Sequence, residues 1–175
     1  MNISEVDFGI GPLQDVEDAI YIGIRKLVER NRANPGFDGL WMKEYSEVWY
    51  GSLFVSAQAY CIGSLRDIND VRKNLESIEL KKEHAYKAHH IVSETYSLIE
   101  LVNSTANYFK HKDEWKDLWP SNYTTKVLEA FAMDREFPIN EVHELICEKY
   151  GYGCISKLVS EWRENLMNSA KKEKS

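Results

Sequence analysis

Breakers are scarce in this chain, and that scarcity limits what it can fold into. Four prolines and nine glycines interrupt 175 residues. Between them apolar residues recur every three to four positions, the spacing of a helix with one buried stripe and not of a half-buried strand. The chain therefore predicts an all-α fold: an up-and-down helical bundle of about five to six helices with two long central helices. It reads as a single helical domain over residues 1–170 with a frayed polar tail over residues 171–175.

Individual helices follow from the stripes and their stops. Val16, Ile20, Ile24, Leu27 and Val28 share a face of a first helix, about Leu13 to Arg32, with Pro12 suited to its first turn. A second helix carries Trp41, Tyr45, Trp49, Leu53, Tyr60 and Leu65 at helical spacing. Gly51, Ser52, Ser56, Ala57, Ala59, Gly63 and Ser64 lie between them. Small residues there let another helix approach closely, although a glycine in a helix interior costs about 1 kcal/mol against alanine. A third long helix is predicted from about Glu79 to Lys110, ahead of Pro120. Three shorter ones follow at about Thr124–Met133, Asn140–Tyr150 with Asn140 as N-cap, and Ile155–Ser169.

Composition removes several function classes. A net charge of −6 gives no global attraction for polyphosphate, so any RNA contact needs a local patch. No window approaches the roughly 18 apolar residues of a membrane span, and the start "MNISEVDFGIG" lacks the basic and apolar regions of a signal peptide. A cytoplasmic protein with no membrane partner is expected. Cys61, Cys147 and Cys154 are an odd set without CxxC spacing, which predicts buried thiols rather than a disulfide framework or zinc ribbon. His143 and Cys147 lie one helical turn apart with Cys154 seven residues on, too few ligands for a structural zinc site, so no metal is assigned. No phosphate loop, dinucleotide fingerprint, nucleophile elbow or HExxH occurs, and no cofactor is expected.

The stretch "NSTANYFKHKDEW", Asn103 to Trp115, is the candidate site. On the third helix Ser93, Tyr96, Ser97, Glu100, Asn103, Ser104, Asn107 and His111 fall on the face opposite the apolar stripe. Glu100, Asn103, Asn107 and His111 form one line of i,i+3 and i,i+4 steps. Such a line sets an imidazole beside amides that fix its tautomer or hold a phosphate oxygen, with Lys110 adding a cation. Histidine as general acid or base with a cation on the charged phosphorane is the chemistry of RNA cleavage. The bland alternative is helix termination, since lysine and histidine near a C-terminus complement the macrodipole. Trp115 and Trp119 after it could stack on bases or anchor the returning chain. In "KKEHAYKAHH", His84 falls on the apolar stripe, and His90 with Glu94 makes an i,i+4 pair without the Glu-x-x-His pattern of a helical di-metal site.

"ANYFKH" resembles the motif of the HEPN superfamily (higher eukaryotes and prokaryotes nucleotide-binding), in which an arginine, an asparagine and, four residues beyond it, a histidine end a long helix. Asn107 and His111 take the asparagine and histidine places, and Ala106 stands where the arginine belongs. The resemblance covers the helical architecture from about Leu13 to Lys126. It implies a homodimer of a bacterial defence or toxin–antitoxin type, RNA-associated, working as a metal-independent endoribonuclease where active. His111, Asn107 and Lys110 would then be catalytic, and Glu100, Asn103, Ser104, Tyr96 and Trp115 would bind. Ala106 removes the group that would grip the scissile phosphate, and lysine lacks the planar fork of arginine. RNA association is thus better supported than cleavage, and the competing expectation is a catalytically silent protein-binding module, such as an immunity or antitoxin protein.

Overall fold

A computed structural model describes residues 7–34, 36, 39–74, 78–88, 95–133 and 135–172. Seven α-helices fill them: α1 Ile10–Ala33, α2 Gly39–Asn74, α3 Lys82–Lys87, α4 Leu98–His111, α5 Tyr123–Ala130, α6 Pro138–Tyr150 and α7 Cys154–Lys172, with a 3₁₀ turn at Lys112–Glu114 after α4. The all-α bundle is as the periodicity predicts. None of the described helices is long and apolar enough to cross a membrane. The centre is α2, which packs against α1, α4, α6 and α7, while α4 lies between α2, α5 and α6.

The count exceeds six because the predicted helix from Glu79 to Lys110 is two helices. Ser97 accepts the Glu100 N–H at 3.1 Å while Glu100 Oε2 accepts the Ser97 N–H at 2.8 Å, a capping box that starts α4 afresh. The Ser97 hydroxyl also donates to the Tyr86 carbonyl, tying α3 to that start. Trp162 of α7 donates to the Ala85 carbonyl at 2.8 Å, and its ring is fully buried. With α3 separate, His84 is exposed rather than on a core stripe. Ser93 and the His90–Glu94 pair lie outside the described residues. At the C-terminus α7 runs through Lys172, so the predicted tail begins within a helix, and residues 173–175 lie outside the described residues.

The first-helix stripe is rotated slightly from the predicted one. Leu13, Glu17, Ile20 and Leu27 are the buried residues of α1, and Val16 is 37% exposed. A glutamate in a buried stripe needs a partner. Glu17 finds it at the start of α7, accepting the Ile155 and Ser156 N–H groups at 3.0 Å each. Glu47 of α2 does the same for α6, accepting Asn140 N–H and Asn140 Nδ2 at 2.8 and 2.9 Å. Both are N-caps supplied from another helix, where carboxylates satisfy orphan donors and the positive end of the dipole. Asn140 is consequently not the N-cap of α6: Pro138 takes the first turn, and the Asn140 side chain reaches α2 through Glu47, the Lys43 carbonyl and Ser46.

Two glycines let helices meet. A Cβ at Gly51 of α2 would overlap the Phe109 ring of α4, and one at Gly23 of α1 would come 2.8 Å from Trp49 of α2. The small residues predicted to admit a neighbouring helix do so at Gly51.

Two outcomes follow. Gly51→Ala gains about 1 kcal/mol of helix propensity but overpacks the α2–α4 seam at a typical cost of about 1–3 kcal/mol. A net loss of stability is expected in urea unfolding, and Phe109→Leu in the same chain should recover most of it. Burial holds the Glu47 carboxyl above the ordinary carboxylate range, against the pull of the Asn140 N–H and the Lys112 ammonium. A carboxyl raised in the folded state contributes stability that is full below its unfolded pKa and is lost as pH rises through the folded value. Glu47→Gln keeps the acceptor and removes that loss. Its stability relative to wild type should therefore increase as pH rises from about 4 toward neutrality, measured by denaturant midpoints across that range; a pH-independent difference contradicts the assignment.

Candidate functional site

The polar row on α4 does not stand free. Glu100, Asn103 and Ser104 are buried, and Asn107 is half-buried. Asn103 and Asn107 meet Gln58 of α2, whose Nε2 donates to Asn103 Oδ1 and to Asn107 Oδ1 at 2.9 Å each. Gln58 is 7% exposed, so its amide must be satisfied. Its Oε1 accepts from Lys110 Nζ at 2.8 Å, and Lys82 Nζ from α3 donates to Asn103 Oδ1 at 3.1 Å. Two ammonium groups from different helices thus converge on one amide cluster, and among the described residues neither is ion-paired to a carboxylate. Desolvation lowers the Lys82 pKa, and the nearby Lys110 charge lowers it further.

A pocket of about 420 Å³ opens beside this cluster, lined by Lys82, Glu83, Tyr86, Lys87, Glu100, Asn103 and Tyr123. Glu100 is already engaged, by the Ser97 N–H and by the Tyr123 hydroxyl at 2.8 Å. Tyr123 itself is half-exposed, with Tyr96 against it edge-on at 5.9 Å. The Tyr86 hydroxyl is buried and has no hydrogen-bond partner among the described residues. Ser104 is likewise buried with an unpartnered hydroxyl.

His111 lies apart from this network. It is exposed, and its Nδ1 lies 2.9 Å from Glu114 Oε2 in the following 3₁₀ turn. Ala106, in the place of the motif arginine, is fully buried in the core. Trp115 and Trp119 pack on Tyr108, ring centroids 5.7 Å away in both cases, so these tryptophans anchor the returning chain. Of the sequence-predicted residues the structure brings together Asn103, Asn107, Lys110, Glu100 and Tyr96. Of these only Glu100 and Asn103 line the pocket, and His111, Ser104 and Trp115 join neither the amide cluster nor the lining. Gln58, Lys82, Tyr86 and Tyr123 were missed. Gln58 is a lone amide in an otherwise small and apolar stretch of α2, and that was the available signal.

A second cluster forms where α6 turns into α7. Gly151 and Gly153, at φ 68° and 70°, supply the left-handed backbone of this turn. They bring Cys147 at the end of α6 and Cys154 at the start of α7 to a Cα separation of 5.0 Å, and the two form a disulfide. The expectation of three unpaired thiols therefore holds for Cys61 alone, which is buried and whose thiol is raised by that burial. His143 stacks on Tyr50, centroids 3.7 Å apart, and burial pushes its pKa down to about 4. The Tyr21 hydroxyl of α1 reaches the same point, 3.3 Å from His143 Nε2 and 3.2 Å from Glu17 Oε1. His143, Cys147 and Cys154 are the one group among the described residues whose donor atoms are close enough to share a metal ion.

No protein-family model matches the chain, and neither a curated protein nor a solved structure does.

Proposed function

We propose that the protein is an RNA-associated helical module that holds a backbone phosphate between Lys82 and Lys110 without cleaving it. The observation that carries this reading is the convergence of two ammonium groups, unpaired by carboxylates among the described residues, on the Gln58–Asn103–Asn107 amides. Like charges held to one hydrogen-bonded amide network repel one another, and an anion relieves that repulsion. The adjoining pocket is of nucleoside size. Its buried Tyr86 hydroxyl lacks a partner among the described residues, and the half-exposed Tyr123 ring can stack on a base. A net charge of −6 confines the contact to this patch. Cleavage is left aside because Ala106 is in the core and His111 pairs with Glu114 on the surface.

Fluorescence anisotropy with a labelled single-stranded RNA tests it. One neutralised phosphate predicts a log–log salt slope of about −0.7 on a single strand. Lys82→Met with Lys110→Met should flatten that slope and weaken binding at least about ten-fold, while His111→Ala should change neither binding nor RNA length. RNA binding indifferent to both lysines, or none at all, sinks the reading.

A separate surface favours protein recognition as a second reading. Tyr45, Val48, Val55 and Ile62 line the outer face of α2 at helical spacing, and Val48 and Ile62 are 58% and 52% exposed. Ser52 and Ala59 between them are small enough to admit a neighbouring helix. An apolar stripe of this kind suits an interface core, and a second copy of the chain is the occupant that the resemblance implies. Sedimentation equilibrium should show a dimer that Val48→Asp with Ile62→Asp converts to monomer; a monomeric wild type removes this reading.

A further inference from the structure

We propose that, once the Cys147–Cys154 disulfide is reduced, Cys147 Sγ, Cys154 Sγ, His143 Nε2 and Tyr21 Oη form a four-donor site for a divalent transition-metal ion of the zinc class. The inference rests on the shape of the cluster. Tyr21 Oη lies 3.3 Å from His143 Nε2, 3.6 Å from Cys147 Sγ and 3.5 Å from Cys154 Sγ. His143 Nε2 lies 3.5 Å from Cys147 Sγ and 3.8 Å from Cys154 Sγ. Bonds of about 2.0–2.1 Å to nitrogen or oxygen and about 2.3 Å to sulfur give a tetrahedron whose edges run from about 3.3 to 3.8 Å. Of the five edges that do not join the two sulfurs, four lie at 3.3–3.6 Å, where tetrahedral nitrogen–oxygen and mixed sulfur edges fall, and the His143–Cys154 edge is about 0.2 Å longer at 3.8 Å. Reduction frees the two sulfurs to part toward the tetrahedral sulfur–sulfur edge, which shifts the four edges they share with Tyr21 and His143.

The donor set is chemically coherent. Thiolate and imidazole ligands select zinc-class ions over magnesium or calcium. Two thiolates balance the charge of a dication, so a neutral imidazole and a neutral phenol leave the buried cluster uncharged. Glu17, the nearest carboxylate, is already engaged by the N-terminus of α7. Positions are held by three separate elements: His143 and Cys147 sit one turn apart on α6, Cys154 begins α7, and Tyr21 comes from α1.

Disulfide and metal exclude each other, because both use the same two sulfurs. Opening the disulfide takes two electrons and two protons from a dithiol reductant, which leaves as its own cyclic disulfide. Metal binding then releases the two thiol protons to solvent. The joint between α6 and α7 is thereby closed by a covalent bond under oxidising conditions and by an ion under reducing ones.

The probe is cobalt(II), titrated into the full-length protein after reduction with a phosphine and anaerobic removal of the reductant. One equivalent per chain should produce thiolate-to-cobalt charge-transfer bands and tetrahedral d–d bands, and added zinc should bleach both. The same protein left oxidised should produce neither. Cys61→Ser should leave the spectrum unchanged, Cys147→Ser should abolish or halve the charge-transfer intensity, and Tyr21→Phe should shift the d–d bands. Circular dichroism checks that each variant folds. Should Cys147→Ser not fold, zinc must raise the melting temperature of reduced but not of oxidised wild type. An octahedral spectrum, no thiolate band, or equal zinc stabilisation of both redox forms overturns the proposal. A spectrum indifferent to Tyr21→Phe overturns the fourth donor.

Discussion

Two buried glutamates hold the bundle together in a way that apolar packing alone does not. Glu17 of α1 and Glu47 of α2 accept the N-terminal N–H groups of α7 and α6 respectively. A helix start buried without such acceptors leaves donors unsatisfied at roughly 1–3 kcal/mol each, so α6 and α7 can enter the core only where these carboxylates stand. The carboxylates in turn tolerate burial only because those donors meet them. Each group makes the other admissible, and the orientation of the last two helices against the first two follows from that exchange.

The position of the His143–Cys147–Cys154 cluster is a consequence. Once Glu17 has set the first turn of α7, Cys154 is fixed beside α1, and Tyr21, one turn on from Glu17, is brought to the same point. The two left-handed glycines then bring the end of α6 back onto it. The corner is thus positioned by hydrogen bonds and backbone turns additional to the sulfur bond, the kind of support a preorganised ligand set requires.

At the other seam, between α2 and α4, a polar network occupies the place where a bundle ordinarily has leucine. Gln58 donates to both Asn103 and Asn107 and accepts from Lys110, and such networks are stable only when their buried members are paired. Phe109 fills the adjoining space against Gly51. Together these specify how far α4 slides along α2, and so where Lys110 meets the amides that Lys82 reaches from α3.

The sequence by itself determined the helical class, the long α2, the boundaries of most helices to within a few residues, and a row of uncharged polar groups ending in a lysine and a histidine. These are short-range properties: breaker content, period 3.6 and neighbours one turn apart. The restart at Ser97 has a local signal, Ser97 and Glu100 at capping-box spacing, but the apolar period runs unbroken across it and masks it. The sequence also could not say what the polar row faces. Glu17, Glu47, Gln58 and Tyr21 act on partners between 45 and 139 positions away, and no local pattern encodes a contact of that span. Tertiary structure decided that Asn103 and Asn107 turn toward α2, that His111 stays on the surface with Glu114, and that a tyrosine from α1 completes a cluster begun on α6. It did so because buried donors and carboxylates must find one another before the core can close.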